Sequence, residues 1–245
     1  AAVAATVAFA ERQCAFTRRG HDGMDRERVA GLAVATFEHA TSREQDPQLH
    51  THCLVANLAP RQDGTTGTLD GRHLYRWQMT LGALYRAELA AQLQHRLPVQ
   101  IGRDGSSFAI RGVPEAVQHH FSKRAEQVRE WLAAHGAEGA KAAEAATLST
   151  RAHKPDIDRP ALFDRWQADG RALGWGPEQA AQLLERSAWE RDRLAEPALA
   201  DVREGLVKRQ STFAERDAWR ALAEGLQGVG GIQDIEARMD AFRRD

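Results

Sequence analysis

Residues 37–58 read FEHATSREQDPQLHTHCLVANL, and the alternation within and around them sets the architecture. Upstream, AGLAVATFEHA (Ala30–Ala40) places Ala33, Ala35, Phe37 and His39 on one side of an extended chain, against Leu32, Val34, Thr36 and Glu38. The polar turn TSREQDPQ leads into LHTHCLVANL, a second strand, so the two pair as antiparallel neighbours. Side chains at i and i+2 of a strand share a face: His50 and His52 present two imidazoles over one spot, while Thr51 and Cys53 face away. His39 approaches from the neighbouring strand. Three neutral imidazoles suffice to hold a divalent ion and leave positions open for water or substrate. Such an ion either activates water for hydrolysis or polarises a phosphoryl oxygen for another nucleophile. Idle surface histidines are the third reading that the spacing leaves open.

Working outward, the opening AAVAATVAFAERQCAFTRR predicts a helix to about Arg18, with Val3, Val7, Ala10 and Cys14 near one face. Mostly polar residues follow through Arg28. Beyond the strand pair, RQDGTTGTLDG predicts a glycine-rich connection containing a short strand. A long helix is expected over Arg72–His95, where Leu74, Trp77, Leu81, Leu84, Tyr85, Leu89 and Leu93 recur at helical spacing. Val99, Ile101, RDG and SSFAI predict a hairpin. Pro114 opens another helix with Val117, Phe121, Ala125, Val128 and Leu132 on its buried stripe. The class is therefore α+β: an antiparallel sheet carrying the three histidines, covered by helices. After Gly139 the pattern becomes mainly helical, with TLSTRAHKPDIDRP as a loop and helices near 161–168 and 177–185. Thr212 and Glu215 form a capping-box pattern. Residues 1–190 read as one domain, and 191–245 as a helical linker or the start of a following region.

Composition bounds the rest. With 245 residues, 42% apolar and 27% charged, the chain can bury a sizeable core, which excludes wholesale disorder. The net charge of -1 argues against a generic polyanion binder. Yet only four of the 33 basic residues are lysine (123, 141, 154 and 208), and arginine's planar fork suits local phosphate sites. No apolar run approaches the roughly 18 residues of a membrane span, and no basic leader marks a secretory signal. Two cysteines, Cys14 and Cys53, do not make a disulfide scaffold and fit a reducing, cytoplasmic setting. The chain opens without Met inside a helical pattern, which reads as the interior of a longer protein.

Several side chains are candidates for contact with phosphate or DNA: Arg43, Arg61, and Arg18 with Arg19 around the histidines, and Arg151 with Lys154 in RAHKPD. Asp46 is a candidate for orienting a histidine or capping the turn before Pro47. His119 and His120 are adjacent on a helix, diverge by about 100°, and read as a solvated face. DGTTGTLDG lacks the terminal Lys-Ser/Thr of a phosphate-binding loop, so no nucleotide site follows.

The stretch 37–58, with ERQCAFTRRG before it and LDGRHLYRWQMTLGALYRAELAAQL, FAIRGVP and FSKRAEQV after it, resembles the three-histidine motif of the conjugative relaxases of the TrwC/TraI (MobF) type, within the HUH endonuclease superfamily. RAHKPDIDRPALFDRWQADGRALG is similar to the C-terminal helical part of that domain, so the likeness runs over residues 1–190 and lacks only the N-terminal part. The resemblance implies a metal-dependent nickase of single-stranded origin-of-transfer DNA, with His39, His50 and His52 as metal ligands. It implies a tyrosine nucleophile, a 5'-phosphotyrosine intermediate, and rejoining by the reverse ester exchange. Mg²⁺ or Mn²⁺ is the expected ion, with Zn²⁺ as the softer alternative. The implied partners are that DNA, accessory transfer proteins and a C-terminal helicase region of the same parent. One departure stands out. The family's catalytic tyrosines lie upstream of the histidines, whereas the two tyrosines here, Tyr75 and Tyr85, lie downstream. The nucleophile is thus expected to be absent, and the 245 residues alone are expected not to nick DNA. A three-histidine hydrolase of a small phosphate or carbonyl substrate, and a non-catalytic DNA-binding fragment, remain as alternatives.

Overall fold

A computed structural model of the chain describes residues 1–150, 158–189, 194–209 and 212–244. In chain order the elements are α1 (Ala2–Gln13), β1 (Phe16–Arg19), β2 (Asp25–Arg28), β3 (Val34–Thr41), β4 (Pro47–Val55), β5 (Ala59–Pro60), β6 (Thr66–Gly67), α2 (Gly71–Arg96), β7 (Ile101–Asp104) and β8 (Ser107–Ile110). There follow α3 (Glu115–His120), α4 (Lys123–Ala134), α5 (Ala140–Ser149), α6 (Arg159–Ala172), α7 (Pro177–Trp189), α8 (Leu199–Arg209), α9 (Glu215–Gly225) and α10 (Ile232–Arg244). The class is α+β, with the described strands paired as sequence neighbours in four two-stranded ribbons. No described helix is long and apolar enough to cross a membrane.

The chain divides into two compact units. One comprises residues 1–35, 53–111 and 184–245; the other comprises 36–52 and 112–183. The first unit owns the main apolar core, where Phe9, Trp77, Leu84, Trp219, Leu222, Ile235 and Met239 from α1, α2, α9 and α10 are buried together. Phe9 stands edge-on to Trp219 with centroids 5.0 Å apart, a favoured geometry for the ring quadrupoles. Ala83 and Ala87 on α2 are fully buried, small enough to admit neighbouring helices closely. The Glu88 carboxylate accepts the Ile232 N–H at 2.8 Å, satisfying a free donor in the first turn of α10. A smaller cluster of Ala90, Val99 and Ile101 underlies the β7–β8 hairpin, whose turn uses Gly105 at φ +56°, a left-handed conformation natural to glycine.

Three local expectations change. The first helix stops at Gln13, not near Arg18, because residues 16–19 leave it to pair with 25–28, Phe16 opposite Arg28 and Arg19 opposite Asp25. Those strands read FTRR and DRER, too charged for an apolar alternation to show. Next, α9 begins at Glu215 behind Ala214, and Asp217 accepts the Ala214 N–H at 2.9 Å. Thr212 is therefore not the cap; Glu215 instead pairs with Arg243.

The third change lies in the second unit. The single helix expected from Pro114 is broken between α3 and α4, at Phe121 and Ser122. The new start is capped from a distance: Asp46 Oδ2 accepts the Lys123 N–H at 2.9 Å. In the same unit, the Asp158 side chain accepts from Ala161 at the start of α6, where Pro160 occupies the first turn.

Candidate metal centre

The turn Ser42–Asp46 joins β3 to β4, and the Ser42 N–H donates to the Asp46 carbonyl at 2.9 Å. Five residues are too few for a parallel crossover, so the ribbon is antiparallel. Gln45 takes φ +60° to close the turn. Its carbonyl accepts the Trp166 indole N–H at 2.7 Å. Asp46 is buried, and besides capping α4 it accepts from Lys123 Nζ at 2.6 Å. The turn is thereby tied to α4 and α6 by polar bonds.

The ribbon brings the three predicted histidines together. Ring centroids of His39 and His50 are 5.5 Å apart, His39 and His52 4.9 Å, and His50 and His52 5.0 Å. An imidazole bound through nitrogen at about 2.1 Å has its centroid roughly 3.2 Å from the ion, so tetrahedral neighbours lie about 5.2 Å apart. The spacing fits one shared ion. The donor atoms are not drawn together: among the described residues, no group of three His, Cys, Asp or Glu side chains forms a ready metal site. The centroids are placed by the strand backbones together with χ1, whereas the directions of the ring nitrogens follow χ2, a soft torsion for histidine. His50 is further prepared. Its Nδ1 lies 2.9 Å from the Gln48 carbonyl, which assigns the proton to Nδ1 and the lone pair to Nε2, the arrangement a metal-binding histidine uses. His39 and His50 are half-buried and His52 is exposed, so the site lies on an accessible strand face.

The other candidates fall elsewhere. Arg43 is half-buried within the turn. Asp46 is spent on Lys123 and the α4 start rather than shown on a histidine. Arg19 pairs with Asp63 at 2.6 Å, and Arg61 donates to the Thr66 and Arg18 carbonyls. Arg151 and Lys154 lie outside the described residues. His119 bonds Glu126 and Glu115, and these two carboxylates raise its pKa; His120 meets Asp169. Neither is part of the triad. Lys123 and Trp166, which hold the turn, were not foreseen, since their partners lie 77 and 121 residues away in sequence.

Comparison with known proteins decides the family. The TrwC relaxase family model matches residues 1–173. The chain belongs to the TrwC relaxase family. It is 30% identical over 246 aligned residues to the multifunctional conjugation protein TraI of Escherichia coli strain K12, covering 92% of this chain and 14% of TraI. A metal-bound structure of the conjugative relaxase TrwC in complex with OriT DNA is 38% identical, with a TM-score of 0.63 over 71% of this chain and 62% of that one. A structure of TrwC with a 27-mer DNA comprising the recognition hairpin and the cleavage site is also 38% identical, with a TM-score of 0.64 over 71% of this chain and 64% of that one. The chain thus spans 14% of the curated relative and under two thirds of either TrwC relaxase chain.

Proposed function

We propose that this chain is the metal-holding part of a conjugative DNA relaxase, which nicks and rejoins single-stranded origin-of-transfer DNA through a phosphotyrosine intermediate. The observation that carries it is the triad of His39, His50 and His52, at ligand spacing on one open ribbon of a TrwC-family chain. These three histidines would hold a divalent ion, Mg²⁺ or Mn²⁺ in function. Once bound, such an ion supplies Lewis-acid polarisation of a phosphoryl oxygen. His50 donates its Nδ1 proton to the Gln48 carbonyl and would offer Nε2, and His39 and His52 would supply the other two ring nitrogens. His52 is exposed on β4, which leaves that position open to solvent. Both tyrosines belong to α2, downstream of the histidines, where the family resemblance does not place the nucleophile. Neither is assigned that role. The reaction belongs to the cytoplasm, with accessory transfer proteins and a helicase region of the same polypeptide as partners, and with Arg43, Arg151 and Lys154 as DNA contacts.

The test is a Mn²⁺ titration followed by incubation with a labelled single-stranded origin oligonucleotide. The chain should bind one ion and the oligonucleotide, and form no covalent adduct. His50→Ala should weaken Mn²⁺ binding by more than the roughly 10–100-fold that even a ligand's supporting partner is worth. Unchanged metal affinity in that variant, or an adduct on Tyr75 or Tyr85, defeats the proposal.

A further inference from the structure

The first unit holds a cavity of about 280 Å³ between the β1–β2 ribbon and the start of α2. Its wall carries four guanidinium groups, from Arg18, Arg26, Arg72 and Arg76, against two carboxylates, Asp22 and Asp70. The arrangement costs energy in two places. Arg18 and Arg26 are direct cross-strand partners, and like charges placed opposite each other on a ribbon repel. Arg72 and Arg76 are four apart on α2, where like charges repel again. Asp70 offsets the first pair only in part. Its mostly buried carboxylate lies 3.5 Å from Arg18 Nε and 4.0 Å from Arg26 Nε, so one anion is shared by two cations. Asp22 is largely exposed and pairs with His21. Arg72 and Arg76 form no ion pair among the described residues.

The geometry points to a phosphate site: this cavity takes a phosphodiester group of the bound single-stranded DNA, gripped by Arg72 and Arg76 with Arg18 and Arg26 behind. The proposal rests on the relaxase assignment for its ligand, and on the cavity alone for its chemistry. An anion there relieves both repulsions at once, and the flat guanidinium forks match phosphate oxygens. It adds an anchor that the histidines do not provide.

His73 offers a reporter on the cavity wall. Its ring meets Phe16 edge-on at 4.9 Å. Burial pushes its pKa below the ordinary value, and the guanidinium groups of Arg26, Arg76 and Arg216 push the same way against Asp70. A phosphate in the cavity reverses that electrostatic push, so His73 titrates at higher pH when the site is filled.

The experiment follows His73 by NMR in the whole chain, alone, with inorganic phosphate, and with a thymidine oligonucleotide. Fluorescence anisotropy measures oligonucleotide affinity against salt in parallel. The oligonucleotide should raise the His73 pKa, and Arg72→Gln/Arg76→Gln should abolish that rise. The same variant should lower the salt slope of DNA binding by about 0.7 for each phosphate no longer neutralised, and Arg72→Lys/Arg76→Lys should restore the slope. If DNA binds by anisotropy while His73 does not move, the cavity assignment fails and the relaxase reading stands. If phosphate moves His73 but the oligonucleotide does not, the site takes free phosphate and the DNA assignment is overturned. If His73 moves with DNA in a chain that binds no Mn²⁺, the cavity assignment holds and the metal-centred reading falls.

Discussion

The core of the first unit and the histidine ribbon of the second are built on opposite principles. Phe9, Leu222, Ile235 and Met239 are almost wholly buried, and α1, α2, α9 and α10 cohere by removing apolar surface from water. On the ribbon, Phe37 is 53% exposed and Leu49 82% exposed. The ribbon is held by its turn, through Asp46 with Lys123 and Gln45 with Trp166. The contrast separates two jobs. Packing makes the scaffold stable, whereas the ribbon leaves its side chains accessible and borrows its rigidity from a few directed bonds.

Three measurements put that contrast at risk. The greatest change belongs to the core. Phe9→Ala should cost about 3–5 kcal/mol in chemical denaturation, because it opens a cavity beside Trp77 and Trp219. A loss below about 1 kcal/mol would mean that this core is not what stabilises the unit. An intermediate change belongs to the turn. Asp46→Ala removes the α4 cap and the acceptor of Lys123 Nζ, and should cost about 2 kcal/mol. It should also weaken Mn²⁺ binding, though less than His50→Ala does. If metal affinity is untouched, the turn does not position the histidines.

The third change is nil at neutral pH. Cys14 lies in the core and Cys53 is exposed on β4, both as free thiols. Burial pushes the Cys14 thiol up to about 12 from 9.0, against a smaller opposing influence of Arg28. A thiol-specific reagent at pH 8 should therefore modify Cys53 alone in the folded chain. A folded-state pKa above the unfolded one means that the thiol's contribution is intact below pH 9 and lost as pH climbs towards 12. Cys14→Ala should remove that part of the alkaline destabilisation; labelling of Cys14 at pH 8 would contradict its burial.

The histidine cluster was legible because strand geometry repeats every two residues: His50 and His52 had to share a face, and a short polar turn had to return the chain beside His39. The long α2 helix and the β7–β8 hairpin were legible for the same reason, their periodicity being local. What stayed hidden depends on distant partners or on charge. The start of α4 is capped by Asp46, 77 residues upstream of Lys123, a partner that no pattern within the helix foretells. The β1–β2 ribbon escaped notice because charged residues make up half of β1 and all of β2. For the same reason its cross-strand pair Arg18–Arg26, and the cavity it borders, emerged only with the fold. The role of Asp46 was half legible: a turn-closing acid was foreseen, its attachment to α4 was not.

The bond from Glu88 to the start of α10 spans 144 residues. On a ribosome adding about 5–20 residues per second, roughly 7–30 s separate the emergence of these two groups. Throughout that interval the apolar stripe of α2 waits without α10, and of the helices that share its core only α1 precedes it in the chain.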